Sequence, residues 1–163
     1  DRDKLFNEIQ KIKSFFQDKK IESEKLSELL NLNVNEDFNA LKDEALLGNS
    51  NKTNALLDKT VIDDEKSILY ISTINQRLLK LIQIVENAEN STVNDVINNM
   101  RPPIFWKDKP TLLSQLKKWN KHKIRELLNK TYEIEKRIKS KNQVSKNLLI
   151  KKLIIDINST ANV

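Results

Sequence analysis

Apolar residues recur at three- and four-residue intervals along nearly the whole chain, the spacing that lines one face of an α-helix. In residues 2–18, RDKLFNEIQKIKSFFQD, the stripe is Leu5, Ile9, Ile12 and Phe16, widened by Phe6 and Phe15. Ser23 opens SEKLSELLNL, with Leu26, Leu29 and Leu30 on one face, and the polar NVNED after it predicts a break between domains. Asn35 is placed to cap a helix through EDFNALKDEALL, with Phe38, Leu41, Ala45 and Leu46 inward. Gly48 follows, where a left-handed residue ends a helix. A short helix is predicted from about Asn51. The longest stripe is Ile68, Ile71, Ile74, Leu78, Leu81, Ile82 and Val85. It predicts a helix to near Asn90, with Asp63, Asp64 and Glu65 at its positive end. Ser91 or Thr92 caps VNDVINNM. Pro110 suits the first position of the next helix, TLLSQLKKW. Asn120 caps KHKIRELLNKTYEIEKRIKS, with Ile124, Leu127, Leu128, Ile134 and Ile138 inward. Ser145 caps KNLLIKKLIIDIN, and the tail STANV is predicted to fray.

The fold this predicts is all-α. Isolated helices of this length are marginal in water, so they must bury their stripes against one another as a bundle. Composition agrees. One Gly and three Pro cannot supply the hairpin turns of a β protein, while 38% hydrophobic residues can build a core. The chain has 163 residues, enough for one domain or for one domain and part of another. Its first residue is Asp1 rather than Met, which leads us to expect a piece of a longer protein. No stretch reaches the roughly 20 apolar residues of a membrane-spanning helix. The lack of cysteine excludes a disulfide scaffold and any thiolate site, and is compatible with a reducing cytoplasm.

Charge is distributed unevenly. Residues 1–90 carry 13 Lys and Arg against 17 Asp and Glu; residues 91–163 carry 16 against 6. A basic C-terminal half suits a phosphate-rich partner, with Lys117, Lys118, Lys121 and Lys123 as candidate contacts. The same pattern also describes a solvated lysine-rich surface.

Several chemistries are excluded. One glycine cannot build a phosphate-cradling loop or a dinucleotide-binding turn. His122, the only histidine, sits in the first turn of a lysine-flanked helix and reads as a surface residue. Asp63, Asp64 and Glu65 point to different faces of a helix and read as helix-terminal charge rather than a metal cluster. EIEKRIKSK reads as a salt-bridged outer face. No nucleophile and base are placed to act together, so no catalytic residue, cofactor or metal ligand is expected.

The stretch NNMRPPIFWKDKP, residues 98–110, stands apart, because it holds all three prolines. Pro102 and Pro103 lack N–H donors and push Arg101 out of the α region, so the preceding helix must stop near Met100. Ile104, Phe105 and Trp106 then follow a non-helical path among Arg101, Lys107 and Lys109. Two roles remain open for the aromatic pair: a plug at the end of the bundle, or a platform on which a nucleic-acid base stacks.

The order of these features resembles the C-terminal part of the delta-subunit family of the bacterial DNA polymerase III clamp loader. The matching pieces are LFNEIQKI, FNALKDEALLGN, ILYISTINQRLLKLIQIV and, above all, RPPIFWKDKPTLLSQLKKW. The resemblance implies that residues 1–34 end a small AAA+-like lid domain and that residues 35–163 form a helical collar. It implies collar contacts with gamma/tau and delta-prime subunits, and a sliding clamp engaged by an N-terminal domain upstream. It further implies a primer–template junction nearby, with Arg101, Phe105, Trp106, Lys107 and Lys109 as the residues to contact DNA. A bacterial cytoplasmic protein without ATP hydrolysis of its own is implied as well.

Overall fold

The computed structural model describes residues 2–16, 36–140 and 144–163. Among them are eight α-helices and no strand. The helices are α1 (Arg2–Phe16), α2 (Glu36–Leu47), α3 (Ser50–Lys59), α4 (Ser67–Asn87), α5 (Val93–Asn98), α6 (Lys109–Leu116), α7 (Lys121–Lys139) and α8 (Lys146–Ala161), with a single 3-10 turn, Asp64–Lys66, before α4. The all-α fold expected from the apolar periodicity is the fold observed. The expected helix from Ser23 with Leu26, Leu29 and Leu30, the NVNED break, the boundary near residue 34 and the Asn35 cap lie outside the described residues. So do the side chains of Ile12, Phe15 and Phe16. Leu5, Phe6 and Ile9 of α1 are exposed.

One hydrophobic core joins α2 to α8. Its framework is α4 packed on α7 and α2 packed on α8, with α7 and α8 also in contact. The buried apolar positions on these helices follow the three-and-four spacing: Phe38, Leu41, Ala45 and Leu46 on α2, Ile124, Leu127, Ile134 and Ile138 on α7, and Leu149, Ile150, Leu153, Ile154 and Ile157 on α8. Thr131 completes the α7 stripe, and its hydroxyl donates to Asn75 Oδ1 of α4 at 2.6 Å, a polar tie inside an apolar seam.

Short side chains start the helices as their chemistry requires. Asn49, Thr92, Asn120 and Ser145 each accept an N–H three residues on, from Lys52, Asp95, Lys123 and Leu148. Helix α2 ends at Gly48, whose φ is +74°. The Gly48 N–H donates to the Ala45 carbonyl at 3.0 Å and the Asn49 N–H to that of Glu44 at 3.1 Å, the paired bonds of a Schellman ending.

The structure corrects the sequence reading at six places, the first being that the helix expected through Trp119 ends at Leu116. Helix α4 begins at Ser67, so Asp63, Asp64 and Glu65 lie in or before the 3-10 turn rather than in the long helix. Ile68 is exposed, and Tyr70 takes its place in the core. The Tyr70 ring lies 4.3 Å from that of Phe38, and its hydroxyl accepts the Asp63 N–H at 3.1 Å, which aims the first turn of α4. Helix α4 ends at Asn87 rather than near Asn90. Pro110 is the second residue of α6, after Lys109. The tail is not frayed: α8 runs through Ala161, which is buried, and the Asn162 side chain donates to the Gly48 carbonyl at 2.9 Å. Among the described residues, no helix is long and apolar enough to cross a membrane.

Candidate functional site

The segment between α5 and α6 is built from three anchors and an exposed tip. Helix α5 stops at Asn98, and Met100 is buried just beyond it. The peptide bond between Arg101 and Pro102 is cis. Ile104 packs against the core. The third anchor is Asp108, whose carboxylate accepts a hydrogen bond from Arg77 Nη2 at 2.6 Å.

Between the second and third anchors the chain turns outward. Phe105 is 61% exposed and Trp106 72% exposed. Neither is buried, which sets aside the plug, one of the two roles left open by the sequence. Trp119 is the buried tryptophan, with its indole N–H bonded to the Leu46 carbonyl. Two adjacent large aromatics in water lose the stabilisation that burial would give each of them, a cost accepted most readily at binding surfaces. The Phe105 and Trp106 rings lie 6.0 Å apart with their planes at 53°. That tilt prevents one flat ligand from lying against both faces at once, so each ring offers a separate stacking surface. Lys107 Nζ lies 5.4 Å from the centre of the Trp106 ring, at cation–π distance.

The nominated cations divide. Arg101 is exposed, with its guanidinium against the Met100 carbonyl at 3.4 Å. Lys107 is exposed beside Trp106. Lys109 is half-buried and donates to Asn98 Oδ1 at 3.3 Å, closing the base of the turn. Arg101, Phe105, Trp106 and Lys107 thus face solvent on one short turn, and Lys109 braces it.

Beneath the turn lies a polar cluster that the sequence reading did not single out. Arg77 is only 8% exposed. Its Nη2 also approaches Asp43 Oδ1 at 3.8 Å, and Lys42 Nζ lies 3.6 Å from the same oxygen. Gln115 of α6 is fully buried and donates to both the carbonyl and the carboxylate of Asp43 at 3.3 Å. Burial pushes the Lys42 ammonium below the ordinary lysine pKa, against the pull of Asp43. Burial also pushes the Asp108 carboxyl upward, but the hydrogen bond and charge of Arg77, with Lys80 and Lys42 nearby, outweigh it. The Asp108 pKa therefore lies below the ordinary aspartate value.

No family model, curated protein or solved structure matches this chain. The arrangement of side chains is what remains to separate the functional readings. Of the candidate lysines, Lys117 and Lys118 are exposed, Lys121 is ion-paired with Glu89, and Lys123 Nζ donates to the Lys118 carbonyl at 3.0 Å. His122 is exposed. Asp63 accepts the Glu65 N–H, and Asp64 accepts the Asn147 N–H at the start of α8 at 2.8 Å, so two of the three carboxylates serve the starts of helical segments. Among the described residues no three His, Asp or Glu side chains gather as a metal site. The outer face of α7 carries the ion pairs Glu133–Lys136 and Glu135–Lys139.

Proposed function

We propose that this chain is the C-terminal part of a clamp-loader delta subunit. Residues 35–163 form its helical collar, and the turn at 101–107 meets the primer–template junction. The order of motifs along the chain supports the reading, as does the all-α bundle. The observation that carries it is the exposed pair Phe105 and Trp106, held among cations on an anchored turn. Stacking on aromatic rings with nearby positive charge is how single-stranded nucleic acid is bound without sequence preference.

The collar assembles with gamma/tau and delta-prime subunits. The clamp-opening domain belongs upstream of residue 1. The protein works in the bacterial cytoplasm, and no catalytic site is expected in this part of it. Gel filtration of the chain with gamma/tau and delta-prime subunits tests the assembly. Co-elution is expected, and elution as separate species, at concentrations where an intact delta subunit joins, contradicts the reading. Separate elution with steeply salt-dependent DNA binding points instead to a stand-alone nucleic-acid-binding module.

A further inference from the structure

We propose that the Arg77–Asp108 pair is a positioning device for the aromatic turn, clamping Phe105 and Trp106 to the central helix of the bundle. The inference rests on the reading of that turn as a binding surface, and its geometry stands independently.

Asp108 is the residue before the first turn of α6, where an aspartate side chain ordinarily accepts a backbone N–H of its own helix. It makes no such bond here. Its carboxylate is turned instead to Arg77, 31 residues away on α4. Its backbone faces the other way, and the Asp108 N–H donates to the Phe105 carbonyl at 2.9 Å. One residue therefore ties the peptide that carries the aromatic pair to the guanidinium beneath it.

The guanidinium is buried, its Nη2 lies between Asp108 at 2.6 Å and Asp43 at 3.8 Å, and Asp43 in turn accepts from Gln115 of α6. Helices α2, α4 and α6 thus fix the point to which the turn is attached. The rest of the segment is held at its base, by buried Met100, by Ile104 on the core and by the Lys109–Asn98 hydrogen bond, and Asp108 is the tie nearest the exposed tip on its C-terminal side. The segment's backbone hydrogen bonds are Met100 N–H to Ile97 and Asp108 N–H to Phe105, both local. A buried ion pair of this kind adds little net stability compared with apolar residues of similar volume. What it supplies here is a defined position for an exposed segment.

The test uses the full chain and two kinds of variant. Removing one partner leaves buried Arg77 without its nearest carboxylate and risks the fold, so Asp108→Asn is paired with the double replacement Arg77→Met, Asp108→Leu, which removes both charges together. Heteronuclear NOEs of the Phe105, Trp106 and Lys107 backbone amides report on the turn. The Trp119 indole N–H, bonded inside the core, reports on the bundle. In the double variant the turn NOEs are expected to fall while the Trp119 signal stays in place. Affinity of the assembled loader for primed DNA is expected to drop about fivefold, the lower end of one lost base stack. Turn NOEs that do not change overturn the proposal. Loss of the Trp119 signal together with the turn also overturns it, since the pair then supports the whole bundle. Loosened turn NOEs with DNA affinity unchanged, in this variant and in Trp106→Ala alike, uphold the clamp and sink the DNA-contact reading.

Discussion

The indole N–H of Trp119 donates to the carbonyl oxygen of Leu46 at 2.8 Å, inside the core and across 73 residues of sequence. The last carbonyls of a helix have no partner within it. At the end of α2 those of Glu44 and Ala45 are taken by the Asn49 and Gly48 N–H groups, and Trp119 takes the next one. Trp119→Phe keeps most of the ring and leaves that buried oxygen unpaired, so it is expected to cost about 1–3 kcal/mol. Trp119→Ala also opens a cavity and is expected to cost about 3–5 kcal/mol. Urea denaturation of both variants measures this, and a neutral Trp119→Phe removes the bond from the account.

Gly48 closes the same helix end against the C-terminus. A Cβ there would stand 2.6 Å from Asn162 Oδ1, on a backbone whose φ is +74°. Gly48→Ala is expected to destabilise by about 1–2 kcal/mol through the left-handed backbone, with the contact added. The contact contribution should vanish when Asn162→Ala is present and the backbone contribution should not. A double-mutant cycle reads the difference, and strictly additive costs contradict the contact.

The pH dependence of stability follows from Asp108. Its pKa is lower in the folded protein than in the unfolded chain, so its contribution is present above the unfolded value of about 3.9. That contribution is lost as the pH falls from there through the folded value. Thermal melts across that window should show a loss of stability that is smaller in Asp108→Asn. Identical pH profiles for the two proteins contradict the assignment.

The bundle was legible because its stripes obey a single period. The helix starts at Asn120 and Ser145 were legible because an oxygen-bearing short side chain precedes each stripe, whereas Ser91 and Thr92 are equivalent in sequence and only the structure selects Thr92. Tyr70 was missed because a hydroxyl discounts an aromatic as a core residue, yet that hydroxyl is satisfied by the Asp63 N–H. The end of α8 was missed because STANV is polar and terminal, and its order depends on a partner, Gly48, at the other end of the sequence. At the candidate site, the proline stop and the aromatic pair were visible. Their exposure was not, because apolar residues bound for a core and for a surface look alike in one chain. Arg77 left one trace, a charged residue within the apolar stripe of Ile74, Leu78 and Leu81, at a position that faces inward.

Exposure makes the aromatic turn separable from the fold. Phe105→Ala and Trp106→Ala remove side chains that mostly face water, so each is expected to change stability by no more than about 0.5 kcal/mol. A loss near 3 kcal/mol from either would mark a buried role after all.

The measurement that bears most directly on the proposed function is the affinity for primed DNA of this chain combined with gamma/tau and delta-prime subunits, as wild type and as Trp106→Ala, at fixed salt. One base stacked on Trp106 predicts a loss of about fivefold or more in the variant, with assembly and stability unchanged. Equal affinities in both assemblies would contradict the central claim that this turn touches DNA.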